Sequence, residues 1–314
     1  MPASSNKLFV KFLNESGEDA DGVTRDFFAS YWLRFNQQYG YGENMKFFML
    51  NLHNLNDSVI FTSAGRILLH GFIVGGYLPL QIAPSLLYRV LFNKLPSKKS
   101  EKRDFVKSLG ECDQQIIENA SRATAFDATI INKLLDIFSN NQLIQVPVAD
   151  DFKDVLEKIA FFEIVCSPHF MTHQMASCDE MFDDISEDIF LNYVESLRLK
   201  GQELVKILKA SFSTNQSLYG REERVYGFVE RYVSGLNQNM ASKFTRFVSG
   251  MDVMPFTIRI EFKGASNPET MFPIAHTCGY VLEVSPYFLN YEIFKYMMNR
   301  VLMNRNASER FHLT

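Results

Sequence analysis

The chain has 314 residues, 46% of them hydrophobic and 22% charged, with a formal net charge of -4. Its 32 Lys and Arg against 36 Asp and Glu exclude the basic excess that phosphate-driven nucleic-acid binding needs, and its 10 Pro and 16 Gly exclude a collagen-like or low-complexity chain. The apolar content suits one large domain or two of ordinary size, and 29 Phe against a single Trp predict an aromatic core, apolar grooves, or both.

The N-terminal segment MPASSNKLF lacks an apolar stretch and does not read as a secretory signal. Lys7–Leu13 alternates loosely and predicts a strand. A turn-rich acidic stretch, Asn14–Gly22, leads into a helix over Val23–Phe35, with Thr24 as its cap and Phe27, Phe28, Tyr31 and Phe35 as its apolar face. Phe47–Leu52 predicts a strand, and Phe61–Gly75 a buried helix stopped at Gly75-Gly76. The longest apolar run, Ile67–Leu80, is too short to span a bilayer and is interrupted by His70 and glycines. Pro84–Leu91 predicts a helix with proline in its first turn, and Lys94–Arg103 a basic, polar loop.

Further helices are expected over Asp113–Ala123, Asp127–Phe138, Phe152–Cys166 and Arg221–Tyr232, with an acidic then amphipathic stretch over Asp179–Leu199. Ser234–Asn239 is polar and without period, which marks a boundary. Beyond it come a short helix over Met240–Val248 stopped at Gly250, a strictly alternating strand over Phe256–Phe262 and a second strand over Tyr280–Val284. A final helix over Asn290–Arg305 carries Ile293, Phe294, Met297, Met298, Val301 and Leu302 on one face.

Four cysteines, Cys112, Cys166, Cys178 and Cys278, do not make a disulfide framework in a chain of this length. They predict reduced thiols and a cytoplasmic or nuclear location. Cys278 follows His276 and Thr277 on a short polar segment between two predicted strands. It reads either as a reachable nucleophile whose thiolate nearby donors favour, or as a small buried core residue; spacing alone favours the second.

The constellation Cys166-x2-His169-x3-His173-x4-Cys178 has residue types that suit zinc. Pro168 interrupts it and its spacing matches no common finger, so it reads as core cysteines and surface histidines, with no metal. No Gly-rich phosphate loop, dinucleotide fingerprint or GxSxG elbow is present.

Phe272-Pro273-Ile274-Ala275-His276-Thr277-Cys278 resembles the LPxAHTC segment around the catalytic cysteine of HECT-type ubiquitin-protein ligases. Phe244–Gly250 followed by Pro255 is similar to that family's LxxFVTGxxxxP segment, and Leu282–Tyr287 to its LDLPxY segment. Near the other end, Glu18–Phe28 resembles the GxDxGGVTREFF segment, and Phe61–Leu91 the helices that follow it. Phe311 stands fourth from the end, where the family carries a functional Phe. The stretch from Lys94 to Leu236 matches poorly. Gly279 and Tyr280 stand where the family has Phe and Asn, a change that bears on transfer to lysine more than on thioester formation.

The resemblance implies an α+β, bilobal fold. A larger, mostly helical N-lobe (residues 1–236) would recruit a ubiquitin-conjugating enzyme, and a small α/β C-lobe (residues 240–314) would carry the nucleophile. A flexible hinge is expected at Gly235, Leu236, Asn237, Gln238 and Asn239. Cys278 would take ubiquitin as a thioester and pass it to a lysine of a protein substrate, without cofactor, metal, nucleic acid or membrane. His276 and Thr277 would position the thiol or stabilise the oxyanion, or else merely shape the loop. Phe311 would dock the tail. The conjugating enzyme would meet an apolar groove drawn from Phe161, Phe162, Phe170, Met171, Phe182, Phe190 and Tyr193. Two other readings stand beside this one: an inactive scaffold that binds ubiquitin or a conjugating enzyme, and a cysteine hydrolase using Cys278 and His276.

Overall fold

The structure, a computed structural model, describes residues 22–48, 57–141, 146–176, 185–264 and 271–303. The strand expected at Lys7–Leu13 lies outside these residues, as do Cys178, Phe182 and Phe311. By packing, the chain divides into two compact units: Trp32–Glu195, and Met1–Tyr31 together with Ser196–Thr314.

Helix α1 (Gly22–Tyr39) is longer than its expected span, and Thr24 lies inside its first turn rather than capping it. Its later part enters the first unit, where Trp32, Phe35 and Tyr39 stack in sequence and Phe35 meets Phe48 edge-on. The short antiparallel pair β1 (Gly40–Tyr41) and β2 (Phe47–Phe48) follows. Then come α2 (Ser58–Gly75) and α3 (Pro84–Phe92).

At 18 residues and a mean hydropathy of 1.4, α2 is long and apolar enough to cross a membrane by length and composition alone, beyond what the run Ile67–Leu80 suggested. Its buried stripe is Phe61, Ala64, Gly65, Leu68 and Gly71, and it packs on α8, described below. Val59, Ile73 and Val74 on its other side are exposed.

The basic stretch expected as a loop is in large part helix α4 (Lys98–Ser108). Ser97 caps it by accepting from the Ser100 amide at 3.3 Å. Ser100, Glu101, Asp104 and Phe105 turn inward while the lysines reach water. The Asp104 carboxylate accepts from the Ser85 amide at 2.8 Å, which satisfies a free donor at the start of α3. Helices α5 (Glu111–Arg122), α6 (Ala128–Asn140, capped by Asp127) and α7 (Phe152–Phe161) match their expected places.

After α7 the backbone widens into a π-turn over Phe162–Cys166, and Ser167 N donates to Phe162 O at 2.8 Å. Helices α8 (His169–Met175) and α9 (Glu187–Ser196) follow.

The second unit continues with α10 (Gly201–Lys206), β3 (Leu208–Ser211), α11 (Gln216–Ser234), α12 (Gln238–Ser249), β4 (Ile258–Phe262), β5 (Ile274–His276), β6 (Val281–Val284) and α13 (Tyr291–Met303). Sequence reading missed α10, β3 and β5. The sheet order is β3-β4-β6-β5, with β3, β4 and β6 parallel and β5 antiparallel to β6. A parallel pair needs a long crossover, and α11 and α12 supply the one between β3 and β4.

The helices cover a core that includes Val225, Val229, Phe244, Val248, Ile258, Ile260, Leu282, Phe294 and Met298. That core continues across residues 235–239. There Gly235 ends α11, and Asn237 caps α12 by accepting from the Met240 amide at 2.9 Å, so Gln238 and Asn239 already lie in the first turn of α12.

Glu163, in the π-turn, is buried, and burial raises its carboxyl from 4.5 to about 6. Between those values the folded chain holds a proton that the unfolded chain releases. The resulting stability is full below about pH 4.5 and falls as pH rises through about 6. Glu163→Gln should flatten that decline and raise stability at about pH 7 by about 1–2 kcal/mol. Urea unfolding at both ends of the window checks this; an unchanged slope would mean that Glu163 keeps its ordinary titration.

Candidate functional site

Cys278 lies in the four-residue connection of the β5–β6 hairpin. The pairing of His276 with Val281 closes that hairpin. Thr277–Gly279 forms one 3-10 turn and Tyr280 takes the left-handed conformation, φ 55°. Tyr280 N donates to Thr277 O at 3.3 Å. Thr277 is buried, while Cys278, Gly279 and Tyr280 are half-exposed.

Two arginines hold the backbone on either side of Cys278. On β4, Arg259 donates through its backbone N–H to Tyr280 O at 2.8 Å and through Nη2 to Gly279 O at 3.2 Å. A Cβ on Gly279 would fall 3.1 Å from Arg259 Nη2, so glycine leaves that guanidinium its place.

From the first turns of α1, Arg25 donates through Nη2 to Thr277 O at 2.5 Å, through Nη1 to Tyr280 Oη at 2.8 Å and through Nε to Ser249 O at 2.9 Å. Its guanidinium also lies 4.2 Å from the centre of the Tyr280 ring. The next residue, Asp26, accepts from Arg246 of α12 at 2.9 Å, and Arg246 also donates to Ser30 Oγ at 2.6 Å.

These bonds set the start of α1 against the hairpin. A Cβ on Gly22 would lie 2.5 Å from Thr277 Oγ1 and 3.1 Å from Cys278 Sγ, an approach that only glycine allows. Gly250, at φ 79°, ends α12 beside Gly22 O.

His276 is on β5 with its ring turned to the neighbouring strand, where Nε2 lies 3.4 Å from Glu283 Oε2. Glu283 is also 3.9 Å from Lys263, whose ammonium donates to Glu261 at 2.6 Å and holds the Glu261 carboxyl below its ordinary value. The imidazole thus belongs to a small charged ladder on the sheet face.

Of the expected apolar groove, Phe161 and Phe162 are exposed at 44% and 39%, adjacent at the α7 end. Met171 and Phe190 offer no surface. Met171 is fully buried in α8, and Phe190 packs between Tyr88 and Phe92. Phe170 is half-buried edge-on to Phe61. Tyr193 donates its hydroxyl to Gly76 O at 2.6 Å. Helices α8 and α9 thus bury Met171 and Phe190 within the fold.

Cys166, expected in the core, is exposed. His169 Nδ1 sits 2.6 Å from Nη2 of Arg89, a residue that also donates to Val165 O. The arginines that hold the turn around Cys278 were not singled out; Arg25 and Thr277 are 252 residues apart, and although both lie in segments that resemble family motifs, neither motif says that the two meet.

The family model for the HECT domain, described as a ubiquitin-transferase, matches residues 23–314. The chain belongs to the HECT family. No curated protein matches it. HECT domains are ubiquitin transferases, and the helix-rich α+β structure is compatible with such a domain.

The ring orientation of His276 makes a direct prediction. His276→Gln should leave the alkylation of Cys278 by iodoacetamide within about twofold of the parent, well under the tenfold that 1.4 kcal/mol represents. Mass spectrometry of the Cys278 peptide reads the rate; a tenfold drop would mean that the imidazole acts on the thiol.

Proposed function

We infer that this HECT domain accepts ubiquitin from a ubiquitin-conjugating enzyme as a thioester on Cys278 and transfers it to a lysine of a protein substrate. The observation that carries this reading is the placement of Cys278 in a hairpin turn whose flanking carbonyls are held by Arg25 and Arg259. A nucleophile on a fixed backbone loses little freedom on reaction.

In the first step the Cys278 thiolate adds to the carbonyl carbon of the incoming thioester. The tetrahedral intermediate then expels the thiolate of the conjugating enzyme. One C–S bond forms as another breaks, so the exchange is near balance and governed by access and thiolate fraction. In the second step a substrate amine adds to the same carbon, Cys278 leaves as thiolate, and the amine's proton passes to solvent. The product is an isopeptide bond.

Thr277 and His276 are assigned to shaping the turn, supported by the burial of Thr277 and the pairing of His276 with Glu283. Phe311 is assigned to docking the tail. The exposed pair Phe161 and Phe162 is assigned to the conjugating enzyme, because adjacent exposed aromatics are apt anchors for a partner. The two-lobe organisation and the swing of a Cys278-bearing lobe come with this reading, as does a cytoplasmic or nuclear location. Residues 235–239 remain the proposed hinge, as a corner between two helices that would turn as a joint rather than as a loose linker.

The test is a single-turnover assay with ubiquitin-charged conjugating enzymes, run on non-reducing gels. The chain should form an adduct that reducing agent removes. Cys278→Ala should form none, and Cys278→Ser should form an ester that reducing agent leaves intact. Failure of the parent chain across a broad panel of conjugating enzymes would overturn the active-ligase reading in favour of a scaffold.

A further inference from the structure

We propose that Arg25 is a positioning residue for Cys278, acting through the turn that carries the thiol and using Tyr280 as its platform. The proposal rests on the ligase reading above. Three acceptors from two separate pieces of chain converge on this one guanidinium: Ser249 O at the end of α12 and, in the hairpin turn, Thr277 O just before Cys278 and Tyr280 Oη two residues after it. Its fork supplies donors to all three while its Cζ lies over the Tyr280 ring, 4.2 Å from the centroid.

The turn needs such a hold. Gly279 gives it a flexible backbone, and Tyr280 occupies the left-handed region that residues with a Cβ disfavour. Arg259 secures the far side through Gly279 O and Tyr280 O. Arg25 secures the near side and draws the start of α1 onto the sulfur through the glycine at position 22. The direction in which Sγ is presented therefore depends on a side chain that touches neither the thiol nor the transferred group.

Lys cannot reproduce the hold. An ammonium is a point donor without the fork or the flat face. Phe at position 280 keeps the face and loses one acceptor.

The experiment compares the full chain with Arg25→Met, Arg25→Lys, Tyr280→Phe and the Arg25→Met/Tyr280→Phe double variant. One arm measures alkylation of Cys278 by iodoacetamide, with the exposed Cys112 and Cys166 in the same sample as internal references. The other measures the rate constant and amplitude of single-turnover thioester formation. A simple loss of folded chain lowers the amplitude and leaves the rate constant.

Arg25→Met should lower the rate constant about tenfold, equivalent to about 1.4 kcal/mol, at unchanged amplitude. It should raise Cys278 alkylation by a similar factor relative to the references. Arg25→Lys should resemble Arg25→Met, Tyr280→Phe should lie between, and the double variant should be no worse than Arg25→Met alone.

Rate constants and alkylation within about twofold of the parent, rescue by Arg25→Lys, or additive effects in the double variant would overturn the proposal. If the parent forms no thioester, the ligase reading fails. The alkylation arm then decides the clamp alone: the shift expected for Arg25→Met supports it, and its absence overturns it.

Discussion

The closure of the β5–β6 hairpin at His276 and Val281 is the constraint from which the site follows. It leaves four residues to reverse the chain, and so short a path cannot satisfy its own backbone. Within the turn, the Tyr280 N–H donates to Thr277 O. The carbonyls of Gly279 and Tyr280 depend on Arg259, and that of Thr277 takes a second donor from Arg25. A half-buried carbonyl without a donor loses roughly 1–3 kcal/mol, so each of these contacts helps to set the turn's shape. Cys278 sits where the backbone is determined from both sides by elements far from it in sequence.

What could be read from the sequence is what local physics dictates. The alternation of β4, the apolar face of α13 and the proline at the start of α3 each impose their element without help from elsewhere. Helix α4 was hidden because its charge density resembles a solvated loop, while its inward stripe is only Ser100, Glu101, Asp104 and Phe105. Strands β3 and β5 span four and three residues and exist through pairing, β3 with a strand some fifty positions later. No window along the chain contains that information.

The site divides the same way. Cys278 and its neighbours were legible as a local motif, and the family match over residues 23–314 agrees with it. Arg25 belonged to a second motif near the other end, and nothing in either motif says that the two meet. The candidate groove was drawn from aromatic and Met residues by type and position, which do not say what covers them; α8 and α9 are covered within the unit, so that Met171 and Phe190 are core while Phe161 and Phe162 are exposed.

Gly279 and Tyr280, the two departures from the family's motif, make sense as a pair. With any larger residue at 279 the Cβ would press on Arg259 and threaten its bond to Gly279 O. An amide at 280 would have no ring for the Arg25 guanidinium to rest on and no hydroxyl at the reach of Nη1. The freedom that glycine adds to the turn is offset by the anchoring that tyrosine allows, so the loss of the family's usual side chains is not in itself a loss of order around the thiol. This bears on the scaffold reading, which drew on those same departures: a chain released from catalysis has no need to keep the backbone around its cysteine fixed by two arginines from opposite ends of the sequence.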